Sequence, residues 1–121
     1  LVLGAAGLLQ GKRAACHWAW RNLLPAFGAT VDEARVVRDG NLITGGGVTA
    51  GIDMALTVMA DIAGAEHAQA VQLGIEYAPA PPFDCGRPER AAPEILAAVT
   101  SRLDHLRADR HDAVQRAAQR L

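Results

Sequence analysis

The sequence predicts an α/β domain in which a mostly parallel sheet is covered by helices on both faces. Three observations indicate this class: short apolar runs alternate with helical repeats, glycines punctuate them, and no internal repeat or second domain is visible. Half of the 121 residues are hydrophobic, which is enough for one core and excludes a disordered chain.

The first two segments read as a buried helix and a buried strand. Leu1–Gln10 is apolar nearly all round, which is typical of a helix packed against a sheet, and Gly11 supplies a stop. Arg13–His17 is short and apolar at its centre, as a parallel strand would be. Because an unsatisfied first helical turn belongs at a surface, we expect earlier residues of the same domain to precede Leu1.

An amphipathic helix follows, and Gly28 marks its end. Pro25 lies inside this helix and removes one backbone hydrogen bond, so we expect a kinked or tightened last turn. The apolar positions recur at helical spacing: Trp20, Leu23, Leu24 and Phe27.

The middle of the chain predicts a hairpin, a glycine turn and a helix. Asp39-Gly40-Asn41 tolerates positive φ and joins two strand-like runs, Ala34–Arg38 and Leu42–Thr44. Three glycines then lead into a helical repeat from Ile52 that ends at Gly64.

The last part of the chain is helical apart from one loop. We expect a helix near Glu66–Tyr77, an irregular proline-rich loop at Ala78–Pro93, and one or two helices from Ile95 onward.

Charge and cysteine content exclude several function classes. The formal charge is −1 and no basic stripe is visible, so nucleic acid is not an expected partner. No apolar run approaches the ~20 residues of a membrane span, so we expect no membrane association. Two cysteines are too few for a disulfide framework, and a reducing cytoplasm is the expected compartment.

His17 is the first candidate for chemistry because it ends a predicted strand, and ligands of open α/β sheets bind beyond the carboxyl ends of strands. A histidine in such a place is more often structural. Its neighbour Cys16 points to the opposite face of a strand, so the two cannot form a dyad there. Cys85 lies in the proline-rich loop, where little would activate a thiol. The other histidines do not stack with a carboxylate, so no metal site is predicted.

The most distinctive stretch is Thr44–Asp53, in which Gly45, Gly46 and Gly47 connect a strand to a helix. Glycines allow a backbone to approach a ligand closely, and the start of a helix offers free N–H groups. The stretch lacks the lysine of a phosphate-binding loop and the dinucleotide-binding pattern. A turn that merely needs positive φ explains the glycines equally well.

Taken together, three stretches in this order and spacing resemble the ThiJ/PfpI superfamily: Leu3–Gly11, Ala14–Trp18 and Asn41–Asp53. A fourth, Ile75–Glu89, is similar more narrowly to its isocyanide hydratase branch. The resemblance covers about residues 1–95. It implies a flavodoxin-like sandwich of which residues 1–121 form the carboxyl-terminal part.

The resemblance also implies a site and a reaction. The family's cysteine nucleophile and its acidic partner would precede Leu1, which would begin the helix after the nucleophile. His17 matches a histidine near that cysteine, Thr44, Gly45 and Gly46 match a turn approaching the site, and Val48 matches an apolar pocket position. The implied activity is hydration of an organic isocyanide to an N-substituted formamide through a thioimidate, without metal or organic cofactor, in a homodimer.

Three other functions fit the same motifs less well or only in part. A non-enzymatic ligand-sensing domain of a transcription regulator would carry about a hundred further residues with a helix-turn-helix pattern, and the polar helical tail up to Leu121 counts against this expectation. A chaperone or glyoxalase-like relative would differ in the loop Pro79–Pro88. An unrelated structural α/β fragment explains the glycines but not the co-occurring motifs.

Overall fold

The computed structural model describes residues 1–121, in which all of the strands precede α2 and the second half is helical. The elements in chain order are α1 (Val2–Ala5), β1 (Arg13–Ala14), a 3₁₀ helix (Arg21–Phe27), β2 (Thr30–Val31), β3 (Val36–Asp39), β4 (Leu42–Gly45), α2 (Ala50–Ala63), α3 (Ala65–Gly74), a 3₁₀ turn (Pro88–Arg90) and α4 (Pro93–Ala118). None of the helices is both long and apolar enough to cross a bilayer.

The strands form one parallel and one antiparallel pair. β1 runs parallel to β2, with Arg13 opposite Thr30. β3 and β4 form the predicted hairpin, and its two-residue loop begins at Gly40, whose φ of 64° is the left-handed conformation such a loop requires. β2 has only two residues, too few to produce a pattern, and sequence reasoning missed it.

Side chains of the hairpin accept hydrogen bonds from backbone N–H groups on the edge of β1 that does not face β2. The Arg13 N–H donates to the Asp39 carboxylate at 2.8 Å, and the Ala15 N–H donates to Thr44 Oγ1 at 2.9 Å. The Arg13 guanidinium also donates to the Arg38 carbonyl at 3.2 Å. The bond from Arg13 N–H holds the pKa of Asp39 below its usual value. Two short sheets are thereby joined without a continuous ladder.

The hydrophobic core lies between the 3₁₀ helix, β1 and the end of α4. Its nine buried members are Leu9, Ala14, Ala19, Trp20, Leu23, Leu24, Phe27, Ala29 and Val114. Val114 contributes from α4, on the same helical face as Leu103, Leu106 and Ala117. The Arg110 guanidinium on this face lies 4.2 Å from the centre of the Trp20 ring. α4 is a single helix of 26 residues.

The prediction of a long buried helix at Leu1–Gln10 was wrong in extent. The helix ends at Ala5, and Gly7 then takes a φ of 75°, which stops helical continuation. The segment does not pack on all sides, because Val2 is 85% exposed and Leu8 is 56% exposed, whereas Leu9 is buried in the core.

The next two segments are also more tightly wound or shorter than expected. β1 ends at Ala14, so His17 lies three residues beyond the strand rather than at its last position. The whole of Arg21–Phe27 is 3₁₀, where only its last turn was expected to tighten. Gly28, at a φ of 71°, ends it as predicted.

α2 and α3 meet at a corner of one residue. Gly64 is both the last cap of α2 and the first cap of α3, with φ 90° and ψ 155°. Residues with a Cβ rarely adopt this conformation, so glycine makes the sharp change of direction possible. The helices predicted at Ile52–Ala63 and Glu66–Tyr77 are confirmed, with starts and ends shifted by up to three residues.

Replacing Gly4 with alanine should destabilise the fold, because a Cβ there would lie 2.2 Å from Phe27 Cδ2. Overpacking of this kind typically costs about 1–3 kcal/mol. The matched control is Gly51→Ala in α2, where a Cβ meets nothing within 4 Å. The control should be neutral or stabilising by up to about 1 kcal/mol. Urea unfolding of the intact protein measures both, and equal midpoints for the two variants would contradict the proposed clash.

Candidate active site

A cavity of about 330 Å³ brings most of the predicted site residues together. It lies between α1, the segment after β1, the end of β4 and the start of α2. Its lining is mainly apolar and consists of Leu1, Leu3, Ala15, Cys16, His17, Ile43, Thr44, Gly45, Gly47, Val48 and Met54. A volume of this size is within the range of small-molecule sites.

His17 lines this cavity, and its surroundings favour the neutral imidazole. Its Nδ1 accepts a hydrogen bond from the Ala19 N–H at 3.2 Å, so the ring proton of the neutral form resides on Nε2. Burial lowers the pKa of His17, and the positive charge of Arg110 lowers it further. The Trp18 ring lies 5.5 Å away and fixes one side of the imidazole. His17 is therefore suited to donate a hydrogen bond through Nε2.

Thr44 lines the cavity but its hydroxyl serves the fold. The residue is 8% exposed, and its Oγ1 accepts the hydrogen bond from the Ala15 N–H. This bond places the end of β4 beside the segment that carries His17. The Thr44 hydroxyl oxygen is therefore already engaged by the backbone.

The three glycines of the turn face in different directions. Gly45 and Gly47 line the cavity: a Cβ at Gly45 would lie 3.6 Å from Met54 Sδ, and one at Gly47 would lie 3.9 Å from His17 Cδ2. Gly46 faces the other way, where a Cβ would come within 3.0 Å of the Ala34 carbonyl oxygen. Of the predicted binding residues, Gly46 alone is not part of the lining.

Val48 and Met54 give the cavity its apolar mouth and wall. Val48 follows the turn and is 90% exposed, so its side chain is available at the opening. Met54 lies one helical turn into α2 and was not predicted, although its spacing from Ala50 puts both on one helical face. Ile43 also lines the cavity and was not predicted.

The two cysteines are separated. Cys16 is half-buried and lines the cavity, whereas Cys85 is exposed in the proline-rich loop, and both are free thiols. The only hydrogen bond of His17 Nδ1 is with Ala19, so Cys16 and His17 do not form a dyad. No three His, Cys, Asp or Glu side chains gather in a group that could hold a metal ion.

A second cavity, of about 590 Å³, lies between the 3₁₀ helix and α4. Trp18, Trp20, Arg107 and His111 are among its lining residues. It contains neither His17 nor any part of the glycine turn. The smaller cavity is the better candidate because it combines a fixed hydrogen-bond donor with an apolar chamber.

The pKa of His17 should lie below its ordinary value of 6.5, and Arg110→Gln should raise it. Removing the positive charge makes the imidazolium less unfavourable, while burial, the larger cause, persists, so the rise should be partial. Arg116→Gln, also on α4, is the control and should leave the titration unchanged. NMR titration of the imidazole in the intact protein measures this. An unchanged His17 midpoint in Arg110→Gln would show that Arg110 does not act on it.

Thr44→Val should leave the Ala15 N–H buried without an acceptor, at a cost of about 1–3 kcal/mol. Thr44→Ser keeps the hydroxyl and is the matched control. Amide hydrogen exchange should show the Ala15 N–H losing protection in Thr44→Val and keeping it in Thr44→Ser. Equal protection in both variants would contradict a role for the hydroxyl.

Known proteins resemble this chain in sequence and in fold. The sequence profile of the DJ-1/PfpI family matches residues 1–61. The isonitrile hydratase of Pseudomonas putida is 54% identical over 121 residues, which is 100% of this chain and 53% of that protein. Protein DJ-1 homolog A of Arabidopsis thaliana is 37% identical over 71 residues, or 59% of this chain and 18% of that protein.

A crystal structure of a ThiJ/PfpI family protein from Pseudomonas syringae matches with a TM-score of 0.85 and 42% identity, over 97% of this chain and 47% of that chain. This similarity confirms the predicted α/β fold. The chain spans about half the length of the isonitrile hydratase and of this solved structure. The family profile, the fold and the motifs agree, and the chain belongs to the DJ-1/PfpI family.

Proposed function

We propose that the protein containing residues 1–121 is an isocyanide hydratase, which adds water to an organic isocyanide and releases an N-substituted formamide. The observation that carries this proposal is the 54% identity to an isonitrile hydratase over the whole chain, isonitrile being another word for isocyanide. We also propose that these residues are the carboxyl-terminal part of one domain, and that the protein is a cytoplasmic homodimer.

The character of the cavity supports this substrate class. An isocyanide R–N≡C has an apolar R group and almost no hydrogen-bonding capacity. The lining supplies apolar side chains such as Leu3, Ile43 and Met54 and few free polar groups, since the Thr44 hydroxyl is occupied by Ala15. A chamber of this kind favours an apolar ligand over a sugar, a nucleotide or a charged metabolite.

The proposed reaction has two steps. A cysteine thiol adds to the terminal carbon of R–N≡C, forming a C–S bond, and the thiol proton ends on that carbon to give the thioimidate R–N=CH–S–Cys. Water then adds its OH to the same carbon and one proton to nitrogen. The C–S bond breaks as the hydroxyl proton passes to sulfur, which releases R–NH–CHO and the free thiol. The overall reaction converts one isocyanide and one water to one formamide, so it requires no oxidant and no cofactor.

We propose that the nucleophile is a cysteine located before Leu1 rather than Cys16 or Cys85. The resemblance to the family implies a nucleophile directly ahead of the helix Val2–Ala5. Cys16 lacks a base, because the nearby His17 Nδ1 is bonded to Ala19, and Cys85 is exposed on a loop. Leu1 and Leu3 line the cavity, so a thiol just ahead of them would enter the same chamber.

In this proposal His17 donates from Nε2 to the nitrogen of the thioimidate, where charge develops as water adds to the carbon. Because its pKa is lowered, the imidazole is mainly neutral at pH 7, and the donor is a neutral N–H. A fixed donor directed at developing charge contributes about 10²–10³ to the rate of acyl-type reactions.

The intact protein should convert an alkyl isocyanide to the matching formamide, measured by chromatography and mass spectrometry, and thiol alkylation should abolish this activity. The double variant Cys16→Ser and Cys85→Ser should remain active and remain sensitive to alkylation. His17→Gln should lower kcat/KM by about 10²-fold with little change in unfolding temperature.

Activity that survives alkylation would contradict covalent catalysis. Loss of activity in the double cysteine variant, with folding intact, would place the nucleophile within residues 1–121. An intact protein that binds isocyanides without turnover would support a ligand-sensing domain instead.

A further inference from the structure

A polar cluster behind the glycine turn connects Arg35 to the turn and to the start of α2. The Arg35 carbonyl accepts the Gly46 N–H at 2.8 Å. The Arg35 guanidinium donates to Thr49 Oγ1 at 3.1 Å and, through Nε, to the Asp53 carboxylate. Arg35 therefore touches the turn, the cap of α2 and the first turn of α2.

Asp53 is held from its other side by Tyr77. The Tyr77 hydroxyl donates to Asp53 Oδ1 at 2.7 Å, while Arg35 binds Oδ2. Both oxygens of the carboxylate are thus engaged by different donors. These bonds, first that of Tyr77 and then that of Arg35, lower the pKa of Asp53, so it is ionised at neutral pH. We call Arg35, Asp53 and Tyr77 the Arg35 clasp.

The chain adopts an unusual backbone conformation next to Tyr77. Glu76 has a φ of 52° and is the only residue other than glycine with positive φ. This left-handed residue ends α3, and the Tyr77 N–H then bonds back to the Gln72 carbonyl at 3.1 Å. A non-glycine residue in this conformation is uncommon. The reversal directs the Tyr77 hydroxyl to α2.

The Arg35 clasp can affect the cavity because neighbouring glycines of the turn face in opposite directions. Gly46 faces Ala34 and Arg35, and its two neighbours Gly45 and Gly47 face the cavity. A shift of Gly46 away from Arg35 would therefore move both lining glycines and Val48. No clasp residue lines the cavity itself.

We propose that the Arg35 clasp is a positioning cluster for isocyanide hydration: it holds the Gly45–Gly47 turn at the distance from His17 at which the substrate fits. This inference rests on the proposed function. It assigns a role to Asp53 and Tyr77, which belong to two separate motifs, and to Arg35, which belongs to neither. None of the three needs to touch the substrate.

The structure provides a matched control at the other end of α2. Arg38 of β3 forms an ion pair with Asp61 near the end of the helix. Asp53 and Asp61 are 27% and 41% exposed, and their arginine partners are 45% and 50% exposed. Arg35 lies just before β3 and Arg38 lies within it, so each ion pair connects α2 to this part of the chain. Only the Arg35 pair is also connected to the glycine turn.

The test compares Asp53→Asn, Tyr77→Phe and Asp61→Asn in the intact protein. Asp53→Asn should lower kcat/KM for an alkyl isocyanide by about 10- to 100-fold, mainly through a higher KM, since small misplacements at a site carry penalties of this size. Tyr77→Phe should act in the same direction with a smaller decrease. Asp61→Asn should leave both parameters unchanged, because its ion pair is not connected to the glycine turn.

Amide hydrogen exchange of Gly46 provides a readout that does not depend on activity. Its N–H should lose protection in Asp53→Asn and keep it in Asp61→Asn. Equal losses of kcat/KM in Asp53→Asn and Asp61→Asn would overturn the proposal and leave only a stabilising role. Unchanged Gly46 protection in Asp53→Asn would overturn it as well. If the wild-type protein lacks hydratase activity, the proposed function fails, and the exchange of Gly46 still decides whether the clasp positions the turn.

Discussion

The arrangement of the site depends on how the free edge of β1 is satisfied. β1 has a strand partner on one side only, and on its other side the Arg13 N–H is exposed whereas the Ala15 N–H is buried and needs an acceptor within the protein. Asp39 and Thr44 supply the missing acceptors from opposite ends of the hairpin. The hairpin therefore cannot slide along β1, and the end of β4 stays beside Ala15. The cavity exists because this contact brings the glycine turn against the segment that carries His17.

Two arginines act on opposite sides of this cavity in different ways. Arg110 reaches from α4, lies over the Trp20 ring, and disfavours the charged form of His17. Arg35 lies behind the turn, where its charge is balanced by Asp53 and its carbonyl binds Gly46. Arg110 acts on His17 through its positive charge, whereas Arg35 acts on the turn through hydrogen bonds. Neither group lines the chamber, which keeps the chamber apolar around a single neutral donor.

Glycines allow these contacts to be close. At Gly46 a side chain would press on the Ala34 carbonyl, and at Gly45 it would enter the space beside Met54. The same absence of a Cβ serves packing on one side of the turn and space for a ligand on the other. None of the three glycines has a positive φ, so a need for that backbone conformation does not account for them. Close packing on one side and space for a ligand on the other account for three glycines in succession.

The α/β class, the hairpin and the helix ends at Gly28 and Gly64 could be predicted from the amino-acid sequence. These features follow from local rules: apolar period, the φ freedom of Gly28 and Gly40, and motifs in a fixed order. The tertiary structure alone decided which groups pair at a distance. Ala15 meets Thr44 across 29 residues and Asp53 meets Tyr77 across 24 residues. The reason is physical, since a hydrogen bond between distant residues leaves no periodic trace in the chain and depends on the folded path between them.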